Sequence, residues 1–159
     1  MKPETDGAGK LQGGDRAGPP GKDGVTRQVG IRLHDIKQAP LPERLQIAAK
    51  QGFACGHLAL SKVISEYSVS DSALTPGLAC YLKKIFAEAG IDIAVLGCYL
   101  NLATPNEESL KKNQERYLAN IRFASLLGAG VVGTETGAVN EAYKFEERNH
   151  SEAALQIFV

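Results

Sequence analysis

The chain has 159 residues, 43% hydrophobic and 23% charged, a balance that fits one soluble globular domain with one modest core. Lys plus Arg total 18 and Asp plus Glu total 18, so the formal charge is zero and the electrostatic basis for living on nucleic acid is missing. The longest apolar runs, such as 93–98, are far below the roughly 18 residues of a membrane span, and the N-terminus is too polar and Gly-rich for a secretory signal. Cys55, Cys80 and Cys98 show no CxxC spacing, as expected of reduced thiols. These features predict a soluble, cytoplasmic protein with no nucleic-acid partner and no membrane partner.

Residues 1–28 hold seven glycines and three prolines with few large apolar side chains, too little to offset the entropy of ordering, and are expected to form a disordered tail. Gly18, Gly21 and Gly24 fall at the collagen period, which stops too soon for a triple helix. From Val29 onward, short apolar runs alternate with segments of helical period, the pattern of βα units. The first strand is expected over 29–34, followed by a helix from Pro42 with Leu41, Leu45, Ala48, Ala49 and Phe53 on one face and a stop at Gly52. The second strand spans 55–60. Its helix is capped by Thr75, opens with Pro76, carries a stripe of Leu78, Leu82, Ile85, Phe86 and Ala89, and ends at Gly90.

A continuous apolar run over 91–100 predicts a third strand buried on both faces. The third helix is capped near Asn106, with Glu107 and Glu108 at the positive end of its dipole, and packs Leu110, Tyr117, Ile121 and Ala124 before Gly128. The fourth strand covers 131–136, and a last helix begins at Ser151 and Glu152 with Leu155 and Phe158 still lacking partners.

Neither a Gly-x-Gly-x-x-Gly fingerprint nor a Walker loop follows the first strand, so the barrel gains over the doubly wound sheet. A closed (β/α)8 TIM barrel takes about 250 residues. The fold class expected is therefore α/β, a partial TIM barrel of about four βα units over 29–159. In such a barrel, reactive groups stand at the carboxyl ends of strands on inward-pointing positions. Alternation turns Ile31 and Leu33 outward and Arg32 and His34 inward. It places His57 with Cys55 and Ala59, and Glu135 with Val131 and Gly133. His34, His57 and Glu135 are thus the candidate substrate-binding residues, with Arg32 available as a counter-charge for Glu135. Tyr99 and Asn101 end the third strand, where such residues either reach substrate hydroxyls or merely finish a turn. Lys62 reads as a solvated charge.

Taken together, GIRLHD, CGHLALSK, LTPGL, LGCYLNLATPN and VVGTETG make residues 29–159 resemble the sugar phosphate isomerase/epimerase family, the xylose isomerase-like TIM barrels. The resemblance implies metal-assisted proton transfer through an enediolate on a small-molecule sugar or sugar phosphate, with Mn, Mg or Co as cofactor. It also implies that the metal is held by a Glu, Asp, His and Glu set on strands five to eight. No metal ligand is therefore carried over to this chain, and the catalytic residues proper are not assigned. The chain reads as the N-terminal half of such a barrel, inactive alone. The alternative is a non-catalytic half-barrel that self-associates as a homo-oligomer or pairs with a second chain across its sheet edges. An apurinic endonuclease of the same superfamily fits less well, since it would carry further histidines on early strands and a basic face.

Overall fold

The computed structural model describes residues 28–158; the expected tail, apart from Gln28, lies outside the described residues. Four strands, β1 (Gly30–Arg32), β2 (Cys55–Ala59), β3 (Asp92–Gly97) and β4 (Val131–Gly133), form one sheet in the order β1-β2-β3-β4. All three pairings are parallel. Helices α1 (Leu41–Lys50), α3 (Pro76–Ala89) and α4 (Glu107–Leu127) follow the first three strands, with a single-turn helix α2 (Leu60–Val63) directly after β2 and α5 (Glu152–Phe158) at the end. Sequential parallel order with a helix after each strand is the winding of a (β/α) barrel, here with half the strands of a closed one.

Local chemistry sets the helix limits. Thr75 Oγ1 accepts from the amide of Leu78, Pro76 occupies the first turn, and Gly90 closes α3 at φ 65. Asn106 Oδ1 accepts from the amide of Ser109, and Gly128 at φ 77 ends α4. Pro40 cannot cap α1 with a side chain, so Glu66 reaches over from the loop after α2 and accepts from the Leu41 amide at 2.8 Å.

The core lies between the sheet and the helices. Leu33, Leu58 and Leu96 from the sheet side meet Leu41 and Leu45 of α1, Leu82 and Phe86 of α3, and Phe123 and Leu127 of α4. Each fully buried side chain of this size contributes about 1.5–3 kcal/mol. The opposite, concave face of the sheet carries a mixture of small and polar side chains. Gly30, Arg32, Cys55, His57, Ala94 and Val95 line an open hollow of about 230 Å³ there.

A bulge divides β3. Gly56 pairs with Ile93 but His57 pairs with Val95, so β3 holds one extra residue, Ala94. Ile93 below the bulge and Leu96 above it both pack on the helical side, while Ala94 and Val95 both line the concave face.

Several boundaries differ from those the sequence predicts. β1 stops at Arg32 because Leu33–Asp35 forms a short 3-10 turn, clamped by an Arg32–Asp35 ion pair. Leu60 leaves the second strand and starts α2, and β3 occupies 92–97 rather than 91–100. β4 ends at Gly133, opposite the last residue of β3, since pairing has no partner beyond it. In α4 the buried stripe is Asn120, Phe123, Ala124 and Leu127, whereas Ile121 is 44% exposed, beside a groove shared with Tyr117 and Val132. Leu155 is half exposed on α5. Among the described residues, no helix is long and apolar enough to cross a membrane.

Candidate functional site

The carboxyl ends of the first three strands bring three rings together. The turn after β1 carries His34, the inward position near the end of β2 carries His57, and the segment leaving β3 carries Tyr99. Ring centroids are 5.6 Å apart for His34 and His57, 6.2 Å for His34 and Tyr99 and 6.0 Å for His57 and Tyr99. The Tyr99 hydroxyl stands 3.4 Å from His57 Nε2, a weak hydrogen bond. Gly97 makes this cluster possible, because a Cβ there would fall on His57 Nε2.

Burial lowers the pKa of His34 below its ordinary value, and burial followed by the neighbouring His34 lowers that of His57. Both imidazoles are therefore neutral at pH 7 and present a donor and an acceptor each. Among the described residues, the buried Nδ1 atom of His34 has no hydrogen-bond partner. Around the rings stand Arg32, in a two-pronged pair with Asp35 at 2.8 and 3.1 Å, and Lys62, whose ammonium lies 4.0 Å from the centroid of the Tyr99 ring. Hydrogen bonding to Arg32 holds the Asp35 carboxyl below the usual carboxylate range.

Of the three candidates read from the sequence, the fold brings His34 and His57 into contact, while Glu135 follows its own arrangement. Its carboxylate accepts a 2.8 Å hydrogen bond from the Tyr143 hydroxyl. Burial and that bond push the Tyr143 phenol up to about 12. Tyr143 takes φ 51, a conformation that costs a bulky residue energy and that the loop after β4 holds in place. The expected Arg32–Glu135 pairing is replaced by Arg32–Asp35, because three residues of a tight turn reach each other more readily than two strand ends. Asn101 is a structural hub. Its Nδ2 donates to the Asn140 carbonyl, and its Oδ1 accepts from the amides of Ala103 and Ala138, tying the loop after β3 to the loop after β4.

Sequence reasoning missed Lys62 and Gly97. Alternation could have put Gly97 on the ligand side only if the bulge were known, and Lys62 is placed by the unforeseen turn of α2. A second depression, of about 260 Å³ and lined by Thr136, Asn149, His150, Ser151 and Ala154, spends its polar groups on itself. There Asn149 accepts from the Val139 amide and donates to Lys144, and the Ser151 hydroxyl donates to Arg148.

The donor set at the mouth does not fit a divalent ion. Asp35 is committed to Arg32 and Glu135 to Tyr143, and among the described residues no three His, Cys, Asp or Glu side chains are grouped to hold a metal.

No protein-family model matches the chain, and no curated protein matches it. Among solved structures, the chain is similar to a xylose isomerase-like TIM barrel/4-hydroxyphenylpyruvate dioxygenase fusion protein, with TM-score 0.52 and 20% identity over 67% of this chain. The match covers 16% of that protein, so the chain spans a small part of its length. With the sequential parallel sheet, this likeness gives the chain the fold of part of a xylose isomerase-like TIM barrel.

Proposed function

We propose that the chain forms the substrate-facing wall of a sugar isomerase or epimerase pocket, in which His34, His57 and Tyr99 hold the hydroxyls of a ketose-type ligand. The observation that carries this reading is the convergence of two neutral imidazoles and a phenol at the carboxyl ends of three adjacent parallel strands. That is where (β/α) barrels place their chemistry. Neutral imidazole and phenol both donate and accept, which suits a polyol, and their fixed spacing orients it. Glu135, in the loop after β4, is bonded to Tyr143 and is not needed for this reading. In this reading the chain's own residues bind and orient the ligand. The test is titration of the full chain with ketopentoses and ketohexoses, followed through the imidazole resonances. Saturable shifts confined to His34 and His57 and weakened by His57→Gln are expected; flat titrations would overturn the reading.

A second reading, a half-barrel that pairs with a second copy of itself, is favoured by the open edges of the sheet. Val131 on β4 is 54% exposed and Val29, next to β1, is 57% exposed. Light scattering that shows a dimer, converted to monomer by Val131→Lys, would support it; a monomer throughout would exclude it.

A further inference from the structure

We infer that Arg44 is the positioning residue of the ring cluster: its guanidinium bonds both ends of the loop between β1 and α1 and so holds the His34 ring against His57 and Tyr99. This rests on the proposed sugar-binding reading of the rings and adds to it the residue that aims one of them.

Arg44 stands where nothing local favours it. It lies on the buried stripe of α1 with Leu41, Leu45 and Ala48 and is only 6% exposed, so its charge is largely withdrawn from water. It also ends the first turn of that helix, on the positive side of the dipole, where a cation is disfavoured. A leucine would continue the stripe without either cost. The guanidinium instead reaches back past the start of the helix: Nη1 donates to the Leu33 carbonyl at 3.2 Å and Nε to the Ala39 carbonyl at 2.8 Å. Bonds from an ionised donor are about twice as strong as neutral ones, and the planar guanidinium presents its donors in a fixed fork.

The Leu33 carbonyl belongs to the peptide bond that leads into His34, and the Leu33 side chain is wholly buried, so Arg44 holds the backbone at the root of the ring. The ring has no comparable anchor of its own. Its Nδ1 is buried without a hydrogen-bond partner among the described residues, and it meets His57 and Tyr99 edge-on. The direction of the ring is therefore set by the turn that carries it. The charged and titratable groups around His34 are Asp35 and Arg32 in its own turn, Arg44 of α1, Lys62 of α2, His57 of β2 and Tyr99 after β3. Burial holds the His34 pKa down first, and the positive charges of Arg32, Lys62 and Arg44 act in the same direction against Asp35. Loss of Arg44 loosens the ring and removes one of those charges, and both effects move that pKa up.

The experiment compares the full chain with Arg44→Gln and Arg44→Lys by NMR, following the imidazole resonances through a pH titration together with the ring-to-ring contacts, and then titrates each protein with a ketohexose. In Arg44→Gln the His34 pKa should rise toward its ordinary value, the His34–His57 contact should weaken while the His57–Tyr99 contact stays, and ketose binding should fall by about tenfold. Arg44→Lys keeps the charge but lacks the planar fork, and should lie between the two. Arg122→Gln, at an exposed arginine of α4, is the control and should change nothing. A merely structural Arg44 would lower the melting temperature and leave the His34 pKa and ring contacts of the folded protein in place, and that result would overturn the assignment. If Arg44→Gln does not fold, the parent chain decides: its Arg44 Nε proton should exchange with water about tenfold more slowly than that of Arg122, and equal exchange would overturn the clamp. Movement of His34 in Arg44→Gln, in a chain that binds no ketose, would keep the positioning role and overturn the sugar reading. Ketose binding with His34 unmoved would do the reverse, and neither response would overturn both.

Discussion

Replacing Gly97 with alanine adds one methyl group at the point where the sheet and the candidate site depend on each other. The ideal Cβ lands on His57 Nε2 and lies 3.1 Å from His57 Cδ2 and 3.2 Å from the Ala59 Cβ. The backbone has little room to retreat, because Gly97 pairs with Ala59 on one side and Gly133 on the other. The imidazole must therefore turn away. An off-rotamer ring costs about 0.5–1.5 kcal/mol, and the added methyl against Ala59 brings the total to about 1–3 kcal/mol, the usual range for overpacking. A domain with about 5–15 kcal/mol of stability survives that loss. Urea denaturation should show a lower midpoint with an unchanged slope. The His57 resonances should shift and lose their contact with Tyr99, and the sugar binding proposed above should fall by about tenfold or more. An unchanged His57 signal together with an unchanged midpoint would refute the packing of Gly97 against the ring, and with it the assignment of the concave face.

Three further outcomes follow from the same structure. Leu58→Ala, at a wholly buried position in a central strand, should cost about 2–5 kcal/mol, measured by denaturant unfolding. The folded-state pKa values of His34 and His57 are both lowered by burial, so between those values and the unfolded value near 6.5 the unfolded chain binds more protons. Stability should be flat above pH 6.5 and fall as pH drops below it, and the double variant His34→Gln, His57→Gln should lessen that fall in pH-dependent melting. Asn101→Ala removes a buried acceptor of two amides and a donor to Asn140. It should cost about 1–3 kcal/mol, and limited proteolysis should then cut within 137–150 faster than in the parent chain.

How far the residues disclosed this arrangement depends on the range over which each signal acts. Thr75–Pro76 with Gly90, and Asn106 with Gly128, mark helix ends through contacts within three or four residues, so α3 and α4 were legible from sequence almost to the residue. The parallel order followed from the alternation of strand and helix patterns. Strand ends were less legible, because pairing stops where the neighbouring strand stops, as at Gly97 opposite Gly133. The buried stripe of α4 was misjudged at Ile121, since a 21-residue helix with a weak apolar stripe leaves several faces open and tertiary contacts choose Phe123. At the site, the place of His57 is legible from alternation within β2, whereas His34 stands in the 3-10 turn after β1, where strand alternation no longer applies. Lys62 and the Tyr143–Glu135 bond were not legible, because both depend on loop conformations for which the local residues carry no periodic signal.

The extra residue in β3 acts as a change of step. Counting by twos from Ile93, strict alternation would send Gly97 to the helical side and turn Leu96 toward His57. Because Ala94 bulges out of the ladder, the lower part of the strand and its upper end obey opposite parities, and Gly97 still arrives where the imidazole needs room. Ala94 is exposed, so replacing it with serine or threonine should leave the protein folded and the ring cluster intact. Deleting it should straighten β3 and keep Val95, Leu96 and Gly97 opposite His57, Leu58 and Ala59, and the His57 resonances would show the ring cluster retained. The strand thus absorbs an odd residue below the mouth without disturbing the mouth itself, and a methyl group at Gly97 would do more harm than the loss of the whole residue at 94.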